Sequence, residues 1–176
     1  MRAMAFLAAF AIAAISQLAH ANEDPLAPAK DGKIWCYEPD SENKTCRSFS
    51  RFDWDAAGSI WEEDELTLSA NPLVTMKVRA ISTLEGVAIC QVIAEETFQK
   101  AEFLVDGQPA TAHEDMAFRE QYGSRDAPFY GKKFCLEISP YESIFITQVA
   151  IDGTPYPSAT SRLKWISADE GYVLAP

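Results

Sequence analysis

The chain is poor in histidine: His20 and His113 are the only two among its 176 residues. His20 lies in an N-terminal segment that we expect to be removed, so the mature protein would keep His113 alone. A single histidine excludes zinc sites built from several imidazoles. No Gly-x-Ser-x-Gly motif is present to place a nucleophilic serine for a Ser-His-Asp triad. We therefore expect no histidine-dependent catalysis and assign no catalytic residue.

Positive charge is also scarce. Lys and Arg number 15 against 26 Asp and Glu, which gives a formal net charge of −11. Binding to nucleic acid through phosphate contacts needs a basic surface, so nucleic-acid partners are not expected. An acidic surface favours solubility, and it would also attract a cationic partner or a divalent metal.

Long apolar runs are almost absent. The one candidate covers residues 3–15 and is shorter than the roughly 20 residues that a membrane helix needs. Arg2 precedes this run, and Ala19-His20-Ala21 forms a small-x-small cleavage site after it. The pattern predicts a signal peptide over residues 1–21, a periplasmic or secreted location, and no transmembrane anchor.

The chain beyond the signal peptide divides into two parts. Residues 22–31 contain Pro25 and Pro28 among small and charged residues, a composition typical of a flexible leader. Residues 32–176 have the usual length of one domain. We expect a single β-rich domain over this range.

Four cysteines, all beyond the signal peptide, indicate disulfide bonds. They are Cys36, Cys46, Cys90 and Cys135. An even number of cysteines in an exported chain is typical of full pairing, and four allow three connectivities. We favour Cys36–Cys46, which closes a loop rich in turn-forming residues, and Cys90–Cys135. Paired cysteines offer neither a thiolate nucleophile nor sulfur ligands for a metal.

The second half of the chain contains a weak internal similarity. Cys90 and Cys135 each follow a glycine by four residues, and each is followed further on by Asp-Gly-x-Pro, at residues 106–109 and 152–155. A degenerate duplication would produce this pattern. The alternative is that small β proteins reuse the same turn chemistry.

Short apolar and alternating segments predict a mainly β fold. In residues 74–80, Val74, Met76, Val78 and Ala80 share one face, which is the period of a half-buried strand. The predicted strands cover residues 33–38, 47–53, 66–70, 74–82, 87–94, 101–105, 133–138, 144–151 and 161–167. This spacing predicts a disulfide-tied antiparallel β-sandwich or barrel with one short inserted helix. A lipocalin-like barrel is an alternative, although the signature motif of that family is missing.

The inserted helix has clear boundary signals. Thr111 and Glu114 form a capping-box pattern, helix-forming residues continue to Tyr122, and Gly123 stands where a left-handed C-terminal cap is expected. The following residues, 124–130, lack periodicity, and we expect them to form a mobile surface loop.

An acidic segment after the second predicted strand resembles a calcium loop in part. Asp53, Asp55 and Asp64 match positions 1, 3 and 12 of the calcium-loop template, and Gly58 matches position 6. Ala57 at position 5 supplies no side-chain oxygen. A β-hairpin with a polar turn explains the same residues, so calcium binding in a structural module is one of two interpretations.

Aromatic residues in predicted loops favour a binding function. Phe129, Tyr130 and Tyr156, together with Arg125, are the candidate binding residues. They suggest a noncatalytic protein that engages a protein or glycan of the cell envelope. The alternative is a glycosidase-like hydrolase that uses two carboxylates, for which the many acidic residues, including the run 62–65, offer no unique pair.

Overall fold

The chain folds mainly into β-strands. The computed structural model describes residues 24–175, so the predicted signal peptide over residues 1–21 lies outside the described residues. In chain order the strands are β1 (Ile34–Tyr37), β2 (Thr45–Cys46), β3 (Ser48–Trp54), β4 (Ile60–Ala70), β5 (Leu73–Glu85), β6 (Ala88–Val92), β7 (Glu102–Val105), β8 (Gln108–Pro109), β9 (Lys133–Tyr141), β10 (Ile144–Ile151), β11 (Thr154–Pro155), β12 (Ser161–Ile166) and β13 (Val173–Leu174). The helices are α1 (Ala27–Lys30), α2 (Glu95–Gln99) and α3 (Ala112–Asp126).

Eight of these strands close into an antiparallel barrel. Their order is β4-β3-β1-β12-β10-β9-β6-β5, and the pairing of β4 with β5 closes the ring. The first part of β5 also pairs with β7, which lies beside the barrel and forms a hairpin with β8. The prediction of a disulfide-tied β-sandwich or barrel is therefore confirmed, in its barrel form.

The segment expected to be a flexible leader contributes to the core. Within its described part, α1 packs on the barrel, and Leu26 and Ala29 are buried against Trp35 and its neighbours. An apolar side chain that is 0 % exposed, as Leu26 is, anchors the chain at this point. The packed domain thus begins before Gly32.

The buried apolar residues of the described chain form three clusters, two of which contact the inner face of β4. The first contains Trp35, Phe52 and Leu163, and the second joins Met76 and Phe103 to the two longer helices. Along β4, Ile60 belongs to the first cluster and Leu66 packs against the second. The residues of β4 between them, Glu62 and Asp64, therefore lie between the clusters.

Helix α3 begins as the sequence indicates and ends later. Thr111 accepts a hydrogen bond from the amide of Glu114, whose carboxylate accepts one from the amide of Thr111, so the capping box is present. Gly123 is not the C-terminal cap: it lies inside the helix, where a Cβ atom would stand 2.9 Å from the Phe98 ring of α2. Glycine allows the two helices to approach, and α3 continues to Asp126.

Residues 124–130 are consequently not the loop we expected. They form the last turn of α3 and a short 3₁₀ helix, Ala127–Phe129. Within the described residues, no helix is long and apolar enough to cross a membrane.

Both predicted disulfides are present. Cys36 pairs with Cys46, and Cys90 pairs with Cys135. Cys90 and Cys135 are direct neighbours across the β6–β9 ladder, so the second bridge joins two adjacent barrel strands. Two disulfides are typical of a protein that folds in an oxidising compartment.

The internal similarity reflects shared turn chemistry. Asp106 and Asp152 both adopt positive φ before a glycine, and each carboxylate accepts a hydrogen bond from the first residue of an adjacent strand, Leu73 or Lys133. However, β7 pairs with β5, whereas β10 pairs with β9. The strands that follow the two cysteines are therefore arranged differently, which argues against the duplication.

Candidate functional site

The barrel encloses a pocket of about 220 Å³ that opens to solvent. This lumen pocket has room for about seven water molecules. Its polar lining consists of Tyr37, Ser48, Ser50, Glu62, Asp64 and Gln91, and its apolar lining includes Leu66, Ile89, Phe134, Leu136 and Val149. Side chains from β1, β3, β4, β6, β9 and β10 thus meet inside the barrel.

Strand alternation places two carboxyl groups in the lumen pocket. Ile60, Glu62, Asp64 and Leu66 share the inner face of β4, because successive side chains of a strand point to opposite faces. Glu62 is only 6 % exposed. Ser82 of β5 donates a 2.6 Å hydrogen bond to the Glu62 carboxyl. The Ser50 hydroxyl makes the corresponding bond to Asp64.

Burial changes the titration of these carboxyl groups. It raises the pKa of Glu62 to about 8; the charge of Asp64 adds to the effect, and hydrogen bonds from Ser82 and Ser50 oppose it. Burial also raises the pKa of Asp64 to about 6, against the hydrogen bond from Ser50. The pair therefore holds about one proton at neutral pH. Burial, followed by the charges of Glu62 and Asp64, raises the pKa of Tyr37 as well.

The lumen carboxyl groups have no basic partner among the described residues. No salt bridge there includes Glu62 or Asp64, and no lysine, arginine or histidine lines the pocket. The basic residues Arg51 and Lys77, on the neighbouring strands β3 and β5, point to the outside of the barrel. The charged nitrogen of each lies within 4.0 Å of a carboxylate oxygen of Glu65. The interior is thus acidic and without a counter-charge, an arrangement that costs stability unless a proton or a cation is bound.

A second concavity, of about 520 Å³, lies on the outer face of the same wall. We call it the outer groove; it runs between strands β4, β5 and β6 and helix α2. It is lined by Trp61, Arg79, Ala80, Ile81, Thr83, Cys90, Gln91, Val92, Ala94, Glu96, Thr97, Lys100 and Lys133.

The outer groove combines exposed apolar surface with positive charge. Ile81 is 51 % exposed and Val92 is 54 % exposed, although both are large apolar residues on adjacent strands. The Arg79 guanidinium lies 4.6 Å from the centre of the Trp61 ring and covers it. Arg79, Lys100 and Lys133 line the groove with one acidic residue, Glu96; Lys133 forms a salt bridge with Glu85, so Arg79 and Lys100 supply the positive charge. A cationic apolar groove on an acidic protein is suited to an anionic partner with an apolar part.

The structure does not bring the predicted calcium ligands together. Residues 53–61 form a β-hairpin in which Asp53 pairs with Trp61. Asp53 is exposed, whereas Asp64 belongs to the inner face of the barrel. Asp55 accepts hydrogen bonds from the amides of Ala57 and Ser59 and closes the turn. These residues therefore form the polar hairpin turn that was the alternative interpretation.

The predicted binding residues are only partly assembled. Three of them lie together at the end of α3: Arg125, Phe129 and Tyr130. The ring centres of Phe129 and Phe134 are 5.6 Å apart, and Tyr130 packs against the second apolar cluster. Tyr156 follows β11 beside β10, and its amide bonds to the Val149 carbonyl. Phe129 and Tyr130 are half-buried, so their rings support the helix more than they present a free surface.

The lumen carboxyl groups belong to the acidic run 62–65, which offered no unique pair in the sequence. The pattern Ile60-x-Glu62-x-Asp64-x-Leu66-x-Leu68 puts Glu62 and Asp64 on an apolar face, which is the signal that could have identified them. The outer groove gave no comparable signal, because α2 was not predicted.

We compared the chain with protein-family models, with curated proteins and with solved structures, and none of the three comparisons finds a match.

Proposed function

We propose that this protein is an exported, noncatalytic binding protein that engages a protein partner of the cell envelope through the outer groove. The observation that carries the proposal is the exposed pair Ile81 and Val92 beside the cationic side chains of Arg79 and Lys100 in a concavity of about 520 Å³. Exposed apolar patches rimmed by polar residues are typical of interaction sites. The signal-peptide pattern and the disulfides support export to the periplasm or the exterior.

The groove suits a protein segment better than a glycan. Sugars are bound by stacking on an open aromatic face, but Arg79 covers the ring of Trp61. Ile81 and Val92 provide aliphatic surface instead, which fits apolar side chains of a peptide. Arg79 and Lys100 add positive charge, so the partner segment would combine apolar and acidic residues.

Hydrolysis by two carboxylates is less well supported. Glu62, which is buried, and Asp64, which is half-buried, form a carboxyl pair of the kind that such a mechanism would need, with pKa values set apart by their surroundings. However, both project from β4 and stand on the same wall of the lumen pocket. Glycosidases place their two carboxyl groups on either side of the scissile bond. The geometry therefore favours binding over this reaction.

Two groove variants and one matched control test the proposal. Val92→Glu places a charge on the apolar part of the groove, and Lys100→Glu reverses a charge at its edge. Val173→Glu is the control, because Val173 is 58 % exposed on β13, outside the groove. Immobilised wild-type protein and the control should capture the same partner from envelope extract, and both groove variants should lose it. Capture should also weaken as salt is raised. Identical capture by all four proteins would refute the assignment.

A further inference from the structure

We propose that the lumen pocket binds a small organic ammonium ion that carries a short apolar group. The site is a pocket of about 220 Å³ in which the carboxyl groups of Glu62 and Asp64 face apolar side chains of β6, β9 and β10. This inference does not rest on the proposed function, because the pocket and the outer groove lie on opposite faces of the sheet and share only Gln91 among their lining residues.

The charge of the pocket calls for a cation. Glu62 is nine-tenths buried, and neither it nor Asp64 forms a salt bridge within residues 24–175. The groups that face the pair are the hydroxyls of Tyr37, Ser48, Ser50 and Ser82 and the amide of Gln91, none of which is basic. A buried carboxylate without a counter-charge is strongly destabilising, and an ammonium group supplies both the charge and hydrogen-bond donors.

The remaining lining distinguishes an organic cation from a metal ion. Calcium takes six to eight oxygen ligands, and magnesium binds with several of its waters retained. Here Leu66, Ile89, Phe134 and Val149 occupy much of the wall. The pocket offers a metal ion only two carboxylates, and its apolar side chains offer no ligand at all, but they can pack against the hydrocarbon part of an ammonium ligand.

Proton release gives the site a second signature. Burial holds a proton on the lumen pair at neutral pH, with the pKa of Glu62 at about 8. A bound cation stabilises the ionised form of a nearby carboxyl group, so it lowers that pKa. Ligand binding at pH 7 should therefore release protons into the buffer.

Isothermal titration calorimetry of the oxidised protein at pH 7 tests the proposal with four probes: methylammonium, butylammonium, benzylammonium and tetramethylammonium chloride. Butanol and benzyl alcohol are neutral probes of similar shape, and calcium chloride reports simple charge attraction. The variants are Asp64→Asn and Glu62→Gln, which keep the side-chain size and relieve buried charge, so both should fold. Glu63→Gln is the matched control, because Glu63 is exposed on the same strand.

We expect at least one ammonium probe to bind wild type and Glu63→Gln equally, and to bind Asp64→Asn at least tenfold more weakly. The matching alcohol should also bind at least tenfold more weakly. Heats measured in phosphate and in MOPS, buffers that contain no primary ammonium ion, should differ for wild type, which shows proton release, and should agree for Glu62→Gln. The proposal is overturned if no ammonium probe binds, if alcohol or calcium binds as tightly, if Asp64→Asn binds like wild type, or if wild type releases no protons.

Discussion

The buried carboxyl group of Glu62 makes the stability of this protein depend on pH in a way that one substitution should remove. Its pKa rises from an ordinary value of 4.5 to about 8 on folding. Because the folded-state value is the higher one, the stabilising contribution is fully present below about pH 4.5 and is lost as the pH rises through about 8. The full shift corresponds to about 5 kcal/mol of unfolding free energy, of which about 3 kcal/mol is lost by pH 7.

Glu62→Gln mimics the protonated side chain, because the amide oxygen can still accept the hydrogen bond from Ser82. The variant should match wild type at pH 4. It should then become more stable than wild type by about 1.4 kcal/mol for each pH unit up to about pH 8. Urea unfolding of both oxidised proteins between pH 4 and pH 9 measures this difference.

The exposed neighbour Glu63 provides the control. Glu63→Gln should stay within about 0.5 kcal/mol of wild type at every pH, as surface substitutions usually do. A constant offset between Glu62→Gln and wild type across the pH range would refute the reasoning, since it would show that Glu62 titrates normally in the folded protein.

Three further predictions concern the scaffold. Replacing Cys90 and Cys135 by alanine should cost roughly 2–5 kcal/mol in urea unfolding, and more than removal of the other disulfide, because the bridge spans 45 residues instead of 10. Gly123→Ala should lower the melting temperature although alanine favours helices by up to about 1 kcal/mol, because its Cβ would lie 2.9 Å from the buried Phe98 ring. Arg119→Lys should cost roughly 1–3 kcal/mol, because the guanidinium bonds to three backbone carbonyls.

Neighbouring positions on α3 serve as controls for the helix variants. Ser124→Ala follows Gly123 on an exposed position, and Arg125→Lys changes an exposed guanidinium. Both should leave the melting temperature nearly unchanged. A Gly123→Ala protein as stable as wild type would show that the Phe98 ring moves aside without cost. Equal losses of stability in Arg119→Lys and Arg125→Lys would show that the carbonyl contacts of Arg119 add no stability. Free thiols in the purified protein would contradict the disulfide prediction.

Local sequence signals predicted most of the fold. Alternation at Val74–Ala80 gave a strand, and Thr111 with Glu114 gave the start of α3, because both depend on residues close in the chain. Gly123 was misassigned as a cap because its role depends on Phe98, which lies 25 positions earlier and contacts it only after packing. Closure of the barrel through β4 and β5 also depends on pairing that no local pattern specifies.

The candidate sites were harder to predict for the same reason. Acidic residues were counted as surface because charged side chains are rarely buried, yet Glu62 is inside the barrel. Asp53 and Asp64 match one calcium-loop template in the sequence, but the hairpin register places them on opposite faces of the sheet. The outer groove forms only when α2 lies beside the outer face of β5, so its residues share no motif.

Site-specific photocrosslinking tests the central claim most directly. A photoreactive amino acid at position 92, in the outer groove, should form a crosslinked product with a protein partner in cells that export this chain. The same amino acid at position 173, on an equally exposed surface, should not form that product. Lys100→Glu combined with the position-92 probe should abolish the product. Equal crosslinking at both positions, or no product at position 92, would contradict the proposal that the outer groove is the binding site.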